Sequence, residues 1–145
     1  MAISHRLIVA ISVLALVAAC SSGSATLKAP ATPTTRVEVS LTDALKMAPE
    51  AVAVQAGVPV TFVVTNRGAV EHEFFVGDEA TQTDHERLMN SMPGMMHDGP
   101  EGMALQPGQT KQLLYTFKKA GLVLAACHEA GHYGAGMKLA ITVAG

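Results

Sequence analysis

Two patterns of apolar residues divide the chain. Residues 7–19 read Leu-Ile-Val-Ala-Ile-Ser-Val-Leu-Ala-Leu-Val-Ala-Ala and are almost wholly apolar. From residue 36 onward the apolar positions come in short runs. Arg36-Val37-Glu38-Val39-Ser40 alternates with the period of two that a half-buried strand requires. The same reading predicts strands over 36–40, 51–54, 60–65, 70–76, 112–117, 122–126 and 137–143. Gly57-Val58-Pro59, Asn66-Arg67-Gly68, Pro107-Gly108 and Ala120-Gly121 supply the turns between them. Only 84–90 has helical character, with Asp84 as its start. Short strands at regular spacing with Gly/Pro turns predict an all-β sandwich or barrel. No internal repeat is visible.

The first apolar run is too short for a membrane span, which needs about 20 apolar residues. It follows a short segment carrying Arg6 and precedes small residues, as in a secretory signal. Such a signal alone would suit an ordinary cleaved peptide or an uncleaved anchor. Val17-Ala18-Ala19-Cys20 resembles a bacterial lipobox, and Ser21-Ser22-Gly23-Ser24 follows it. The resemblance implies that Cys20 is acylated and becomes the mature N-terminus. The expected organisation is a lipoprotein signal peptide over 1–19, a flexible tether over 20–35, and one domain over 36–145. The tether is rich in Ser, Thr, Ala and Pro. The expected location is extracytoplasmic, in the periplasm or at the cell surface, with the lipid holding the protein to a membrane.

Charge adds little. The formal net charge is −2, aromatics are 4% of the chain, and there is no basic run. These features argue against a nucleic-acid partner. Cysteine usage adds more. The chain has two cysteines, Cys20 and Cys127. If Cys20 carries lipid, Cys127 has no disulfide partner in an oxidising compartment. A free thiol there is open to oxidation, and binding a metal protects it.

The residues around Cys127 read Cys127-His128-Glu129-Ala130-Gly131-His132-Tyr133-Gly134-Ala135-Gly136-Met137. A thiolate, an imidazole and a thioether at this spacing form a copper ligand set. Blue-copper sites combine one Cys, two His and a weak axial Met. The second histidine must come from elsewhere, and Asn66-Arg67-Gly68-Ala69-Val70-Glu71-His72-Glu73-Phe74 offers His72. The chain resembles the cupredoxins, with Met47-Ala48-Pro49, Gln55-Ala56-Gly57 and the stretch 57–75 as further points of likeness. The resemblance covers about 37–143. It implies a Greek-key β-sandwich with one type 1 copper held by His72, Cys127, His132 and Met137. It also implies that His72 lies on an interior strand and the other three ligands lie between the last two strands.

Competing chemistries fit less well. Cys-His with a later His and Met also ends multicopper oxidases, but there a His precedes the Cys and several His-x-His pairs build a second cluster. Here Ala126 precedes Cys127, and the six histidines include no His-x-His pair. His128 is therefore expected at the surface or as a neighbour of the site. Copper nitrite reductases need a second copper between larger domains. A Cys–His thiol enzyme leaves His72 and Met137 without a use. A structural zinc site takes four strong ligands, and a thioether is a poor fourth. No enzymatic activity is expected.

Five of the eight methionines fall between residues 89 and 103: Met89, Met92, Met95, Met96 and Met103. The segment reads as a loop, or a short helix and a loop. It resembles the Met- and His-containing insertion of periplasmic cupredoxins linked to copper tolerance, which also follows the His-Glu-Phe strand. The methionines either bind additional Cu(I), with His85 or His97 as nitrogen donors, or pack over the end of the sandwich. Two functions follow. One is a tethered one-electron carrier with a redox protein partner. The other is a copper-handling protein that sequesters copper or exchanges it with a donor or acceptor. A monomer is expected for either.

Overall fold

Val60, Phe62 and Val64 are fully buried at alternating positions, and Leu139, Ile141 and Val143 repeat the pattern near the C-terminus. Alternation of this kind turns one face of each strand inward. The computed structural model describes residues 35–92 and 98–145. Its elements are β1 (Thr35–Thr42), β2 (Lys46–Ala48), β3 (Ala51–Gln55), β4 (Pro59–Asn66), β5 (His72–Gly77), α1 (Glu79–Ser91), β6 (Gly102–Leu105), β7 (Thr110–Thr116), β8 (Gly121–Ala126) and β9 (Lys138–Ala144). One sheet has the order β2-β1-β4-β7, and the other β3-β9-β8-β5-β6. β1 pairs parallel to β4 and β3 parallel to β9, while the remaining pairs are antiparallel. The all-β sandwich expected from the sequence is therefore the fold, with one helix inserted after β5.

The two inner faces meet in one core. Phe62 sits 5.3 Å from Phe74, ring centre to ring centre, and 6.4 Å from Phe117 in an edge-on contact. Cys127 and Met137 belong to this same core, so the site is built on the end of the packed interior.

The structure departs from the sequence reading in three places. The helix starts at Glu79, not Asp84. Its N-cap is Asp78, whose carboxylate accepts the Thr81 N–H at 2.9 Å. Its buried face carries Gln82, His85 and Met89, so two of the three inward residues are polar and the helical period left no apolar trace. β2 and β6 are short strands that were not predicted. β6 moves Met103 out of the expected Met-rich loop. Met103 is buried opposite Phe74, and Met89 is buried on α1. Met92 is exposed at the helix end. Met95, Met96 and His97 lie outside the described residues. So do residues 1–34, with Cys20, the signal and nearly all of the expected tether. Among the described residues, no helix is long and apolar enough to cross a membrane.

Asn66 ends β4 and anchors the loop that leads to His72. It is fully buried. Its Nδ2 donates to Val70 O at 2.8 Å and Leu105 O at 2.9 Å, and its Oδ1 accepts the Gly68 N–H at 2.8 Å. Asn66→Ala should lower stability by about 1–3 kcal/mol, because it strands buried partners of the lost amide. Urea denaturation checks this, and a loss within error of zero would mean that the loop is held by other contacts.

Candidate metal centre

β5 and β8 run antiparallel, with Phe75 opposite Ala126 and Val76 opposite Ala125. This register brings the start of β5 and the end of β8 together. His72 opens β5 on an interior strand of its sheet, and Cys127 follows β8. The segment between β8 and β9 then turns back. His132 N–H donates to Glu129 O at 2.8 Å and Ala135 N–H to Gly131 O at 3.1 Å. Gly131 and Gly136 take φ of 82° and 87°, which the tight turn needs and other residues adopt at a cost. Met137 closes the loop: its N–H donates to His132 O at 3.1 Å, and its carbonyl accepts the Cys127 N–H at 3.2 Å. All four sequence-predicted site residues therefore lie at one end of the sandwich.

Three of them converge by their side chains. Cys127 Sγ lies 3.3 Å from His132 Nδ1 and 3.9 Å from His72 Nδ1. One ligand atom from each of His72, Cys127 and His132 lies within 4.8 Å of the other two, a set able to hold a metal ion. Donors about 2.0–2.3 Å from a metal and about 120° apart would stand about 3.7 Å from one another. The observed sulfur–nitrogen separations bracket that spacing, so the donors already stand where a three-ligand metal would need them. Met137 is fully buried, and its backbone is hydrogen-bonded to both Cys127 and His132.

The surroundings fix each donor. Asp43, from the β1–β2 turn, places Oδ1 3.3 Å from His72 Nε2. A carboxylate at one ring nitrogen fixes the tautomer and leaves the other nitrogen free to bind metal. Asp43 itself is held by the Ala69 N–H at 2.7 Å, which with the Val70 N–H and His72 keeps its carboxyl below the usual range. Gly68 makes room for it: a Cβ there would lie 2.0 Å from Asp43 Oδ1. The Glu73 N–H donates to Cys127 Sγ at 3.2 Å. Burial pushes the Cys127 thiol up to about 12, against the pull of the Glu73 and Glu129 N–H groups. Burial also holds His132 below the ordinary imidazole value, and the neighbouring His72 adds to this.

Sequence reasoning missed the supporting residues. Asp43 lies far from His72 in the chain, so no local spacing marks it. Glu73 sits beside His72 with no metal-ligand signal of its own, yet it is 1% exposed. Of the two places expected for His128, at the surface or as a neighbour of the site, the structure gives the second: it is buried between Glu86 and Gln82. His85 Nε2 faces Glu73 Oε1 at 2.8 Å.

The two sheets and the end-on Cys/His cluster define the cupredoxin class. No protein-family profile matches the chain. Three similar proteins are copper-resistant cuproproteins CopI. That of Rubrivivax gelatinosus is 36% identical over 101 residues, covering 70% of this chain and 61% of its own length. That of Vibrio cholerae is 36% identical over 102 residues, covering 70% and 60%. That of Pseudomonas aeruginosa is 33% identical over 136 residues, covering 74% and 75%. The chain thus spans about six tenths of the length of the first two. Among solved structures, auracyanin of Roseiflexus castenholzii superposes with a TM-score of 0.67 at 21% identity, covering 77% of this chain and 98% of its own. Auracyanin A of Chloroflexus aurantiacus, a blue copper protein, gives 0.65 at 20%, covering 77% and 100%. The chain belongs to the CopI family of copper-resistant cuproproteins.

The raised thiol sets a pH dependence. Near neutral pH the metal-free site holds Cys127 as a thiol, so a metal that takes the thiolate must release that proton. The affinity of the metal-free protein for Co(II), read from its thiolate charge-transfer band, should rise roughly tenfold per pH unit from about pH 7 to 9. A flat profile would mean that Cys127 gives up no proton on binding.

Proposed function

We propose that this chain is a type 1 copper protein of the extracytoplasmic space that transfers single electrons. His72, Cys127 and His132 are the strong ligands and Met137 the weak axial one. The observation that carries the reading is the buried two-nitrogen, one-sulfur set with donors already at metal-binding spacing. Soft sulfur suits Cu(I) and imidazole suits both oxidation states, so this mixture fits copper better than zinc. Copper bound there supplies a one-electron couple. The chain's part is to hold the donors still. Asp43 orients His72, the Glu73 N–H holds the sulfur, and the Cys127–Met137 backbone bond ties the two ends of the ligand loop. His132 is partly exposed while His72 is buried, so His132 offers a redox partner its approach to the site.

The relatives' description as copper-resistant favours a second reading, in which the protein sequesters or passes on copper. Met92, Met95 and Met96, with His97, are the residues that would add Cu(I) capacity. Met89 and Met103 are packed in the interior. Two measurements test the pair of readings. Copper-loaded protein should show an intense thiolate-to-Cu(II) band that Cys127→Ser removes. Met137→Ala should keep copper with a changed spectrum and potential. A coloured Cys127→Ser protein, or complete loss of Cu(II) in Met137→Ala, contradicts the ligand roles. An anaerobic Cu(I) titration against a competing chelator then separates the functions. One Cu(I) per chain supports the carrier. More than one, falling to one when Met92, Met95 and Met96 become Leu, supports copper handling.

The lipobox-like Val17-Ala18-Ala19-Cys20 supports attachment through a lipid on Cys20, since two acyl chains suffice for stable membrane binding. Mass spectrometry of the native protein should find diacylglycerol on Cys20, and an unmodified thiol there would end this part of the proposal.

A further inference from the structure

The buried polar side chains among the described residues are Asn66, His72, Glu73, Gln82, His85 and His128. Asn66 serves the loop before β5, and His72 is a proposed ligand. The other four form one connected network, and it joins α1 to the chain neighbours of two proposed ligands. Glu73 follows His72 and His128 follows Cys127. His85 Nε2 lies 2.8 Å from Glu73 Oε1, and Glu73 Oε2 accepts the His128 N–H at 3.2 Å. His128 Nε2 lies 2.6 Å from Gln82 Oε1, and its Nδ1 lies 2.7 Å from Glu86 Oε2. Gln82 Nε2 donates to Phe75 O and to Leu124 O, both at 3.0 Å, so it staples β5 to β8.

The chemistry of this contact is unusual for a helix. A surface helix commonly docks through an apolar stripe, and apolar contact is non-directional. Here the inward residues are Gln82, His85 and Met89. Hydrogen bonds have preferred distances and angles, and a satisfied buried network fixes its members in one arrangement. Phe75 stacks on His85 with ring centres 3.8 Å apart, and Tyr133 stacks on His128 at 4.5 Å. Both imidazoles are thereby held in plane as well as by their nitrogens. The Glu73 backbone carries the hold inward, because its N–H donates to Cys127 Sγ.

We propose that α1 is a positioning element for the copper site: through His85, Gln82 and Glu86 it fixes Glu73 and His128, and so sets the placement of the Cys127 sulfur and the potential of the metal it binds. The proposal rests on the reading of His72 and Cys127 as copper ligands. The helix then does more than cover the sandwich. Its side chains tune the site without touching the metal.

The test compares His85→Leu, His85→Gln and Asp78→Ala. Gln can place a donor where His85 Nε2 stands, and Leu cannot. Asp78 caps α1 without joining the network, so its loss weakens the helix alone. Glu86→Leu, at a partly solvent-open position, is the milder variant should His85→Leu not fold, and it carries the same readouts. Two quantities are measured: the reduction potential of copper-loaded protein, and hydrogen exchange of the Glu73 and His128 amides in copper-free protein. His85→Leu should shift the potential and speed exchange of both amides about tenfold relative to the rest of β5 and β8. His85→Gln should return both quantities towards wild type, and Asp78→Ala should leave both unchanged. The proposal is overturned if His85→Leu matches wild type. It is equally overturned if Asp78→Ala reproduces the His85→Leu changes, since loosening of the helix would then explain them. Absence of the thiolate band in the unaltered protein would refute the ligand reading instead. The amide exchange of copper-free protein would still decide the role of the helix.

Discussion

The antiparallel pairing of β5 with β8, with Phe75 opposite Ala126, determines where the chemistry of this chain can sit. Side chains alternate between the two faces of a strand, so a slip of one residue would turn every inward group outward. In the register observed, the Glu73 N–H meets the Cys127 sulfur and the Glu73 carboxylate meets the His128 N–H. The loop from Cys127 to Met137 could close in many ways on its own. It closes on the proposed site because both of its ends are tied by the Cys127–Met137 backbone bond to a strand already placed by β5. β6 covers the outer edge of β5, with Leu105 opposite His72, and leaves that ring buried.

What could be read from the chain was local in nature. The Cys127/His132/Met137 spacing carries its chemistry within one loop, and alternation reveals β1, β4 and β9 because their inward residues are apolar. What escaped was long-range or polar. β6 is buried at all four positions, Gly102, Met103, Ala104 and Leu105, so it shows no alternation. It was absorbed into the methionine count instead. The N-terminal turns of α1 escaped because their inward residue is Gln82. Asp43 escaped because a second carboxylate beside a ligand histidine is defined only by the fold. Glu73 had one legible hint, its place next to His72; its burial depends on α1, whose His85 faces its carboxylate, and the inward face of that helix left no apolar trace.

The interior around the site is polar in an economical way. A buried donor or acceptor without a partner is costly, and in a low dielectric a half-satisfied network is worse than none. Glu73 uses both carboxylate oxygens and Gln82 both ends of its amide. Each ring nitrogen of His128 faces an oxygen, Gln82 Oε1 or Glu86 Oε2, and the neutral ring favoured by burial donates to one of them. Among the described residues, Tyr133 Oη is the one buried side-chain polar atom left without a partner. Nearly complete satisfaction is what a rigid ligand shell requires, because each unmet group would be a reason for the shell to rearrange.

The same burial bears on how the Cys127 thiol escapes oxidation. Sequence reasoning held that in an oxidising compartment it needs a metal to do so. The reactive species is the thiolate, however, and a thiol pushed up to about 12 by burial has almost none at neutral pH. Cys127 is also wholly inaccessible. The fold therefore protects the empty site as well as the filled one. A metal that draws the proton from this sulfur works against a high pKa, and its own affinity for the thiolate and the two imidazoles must exceed that cost. Soft, strongly thiolate-seeking metals meet the condition most readily. Burial of the sulfur thus keeps the empty site inert and sets the affinity any metal must exceed, while the softness of the donors, not the burial, favours copper over hard cations.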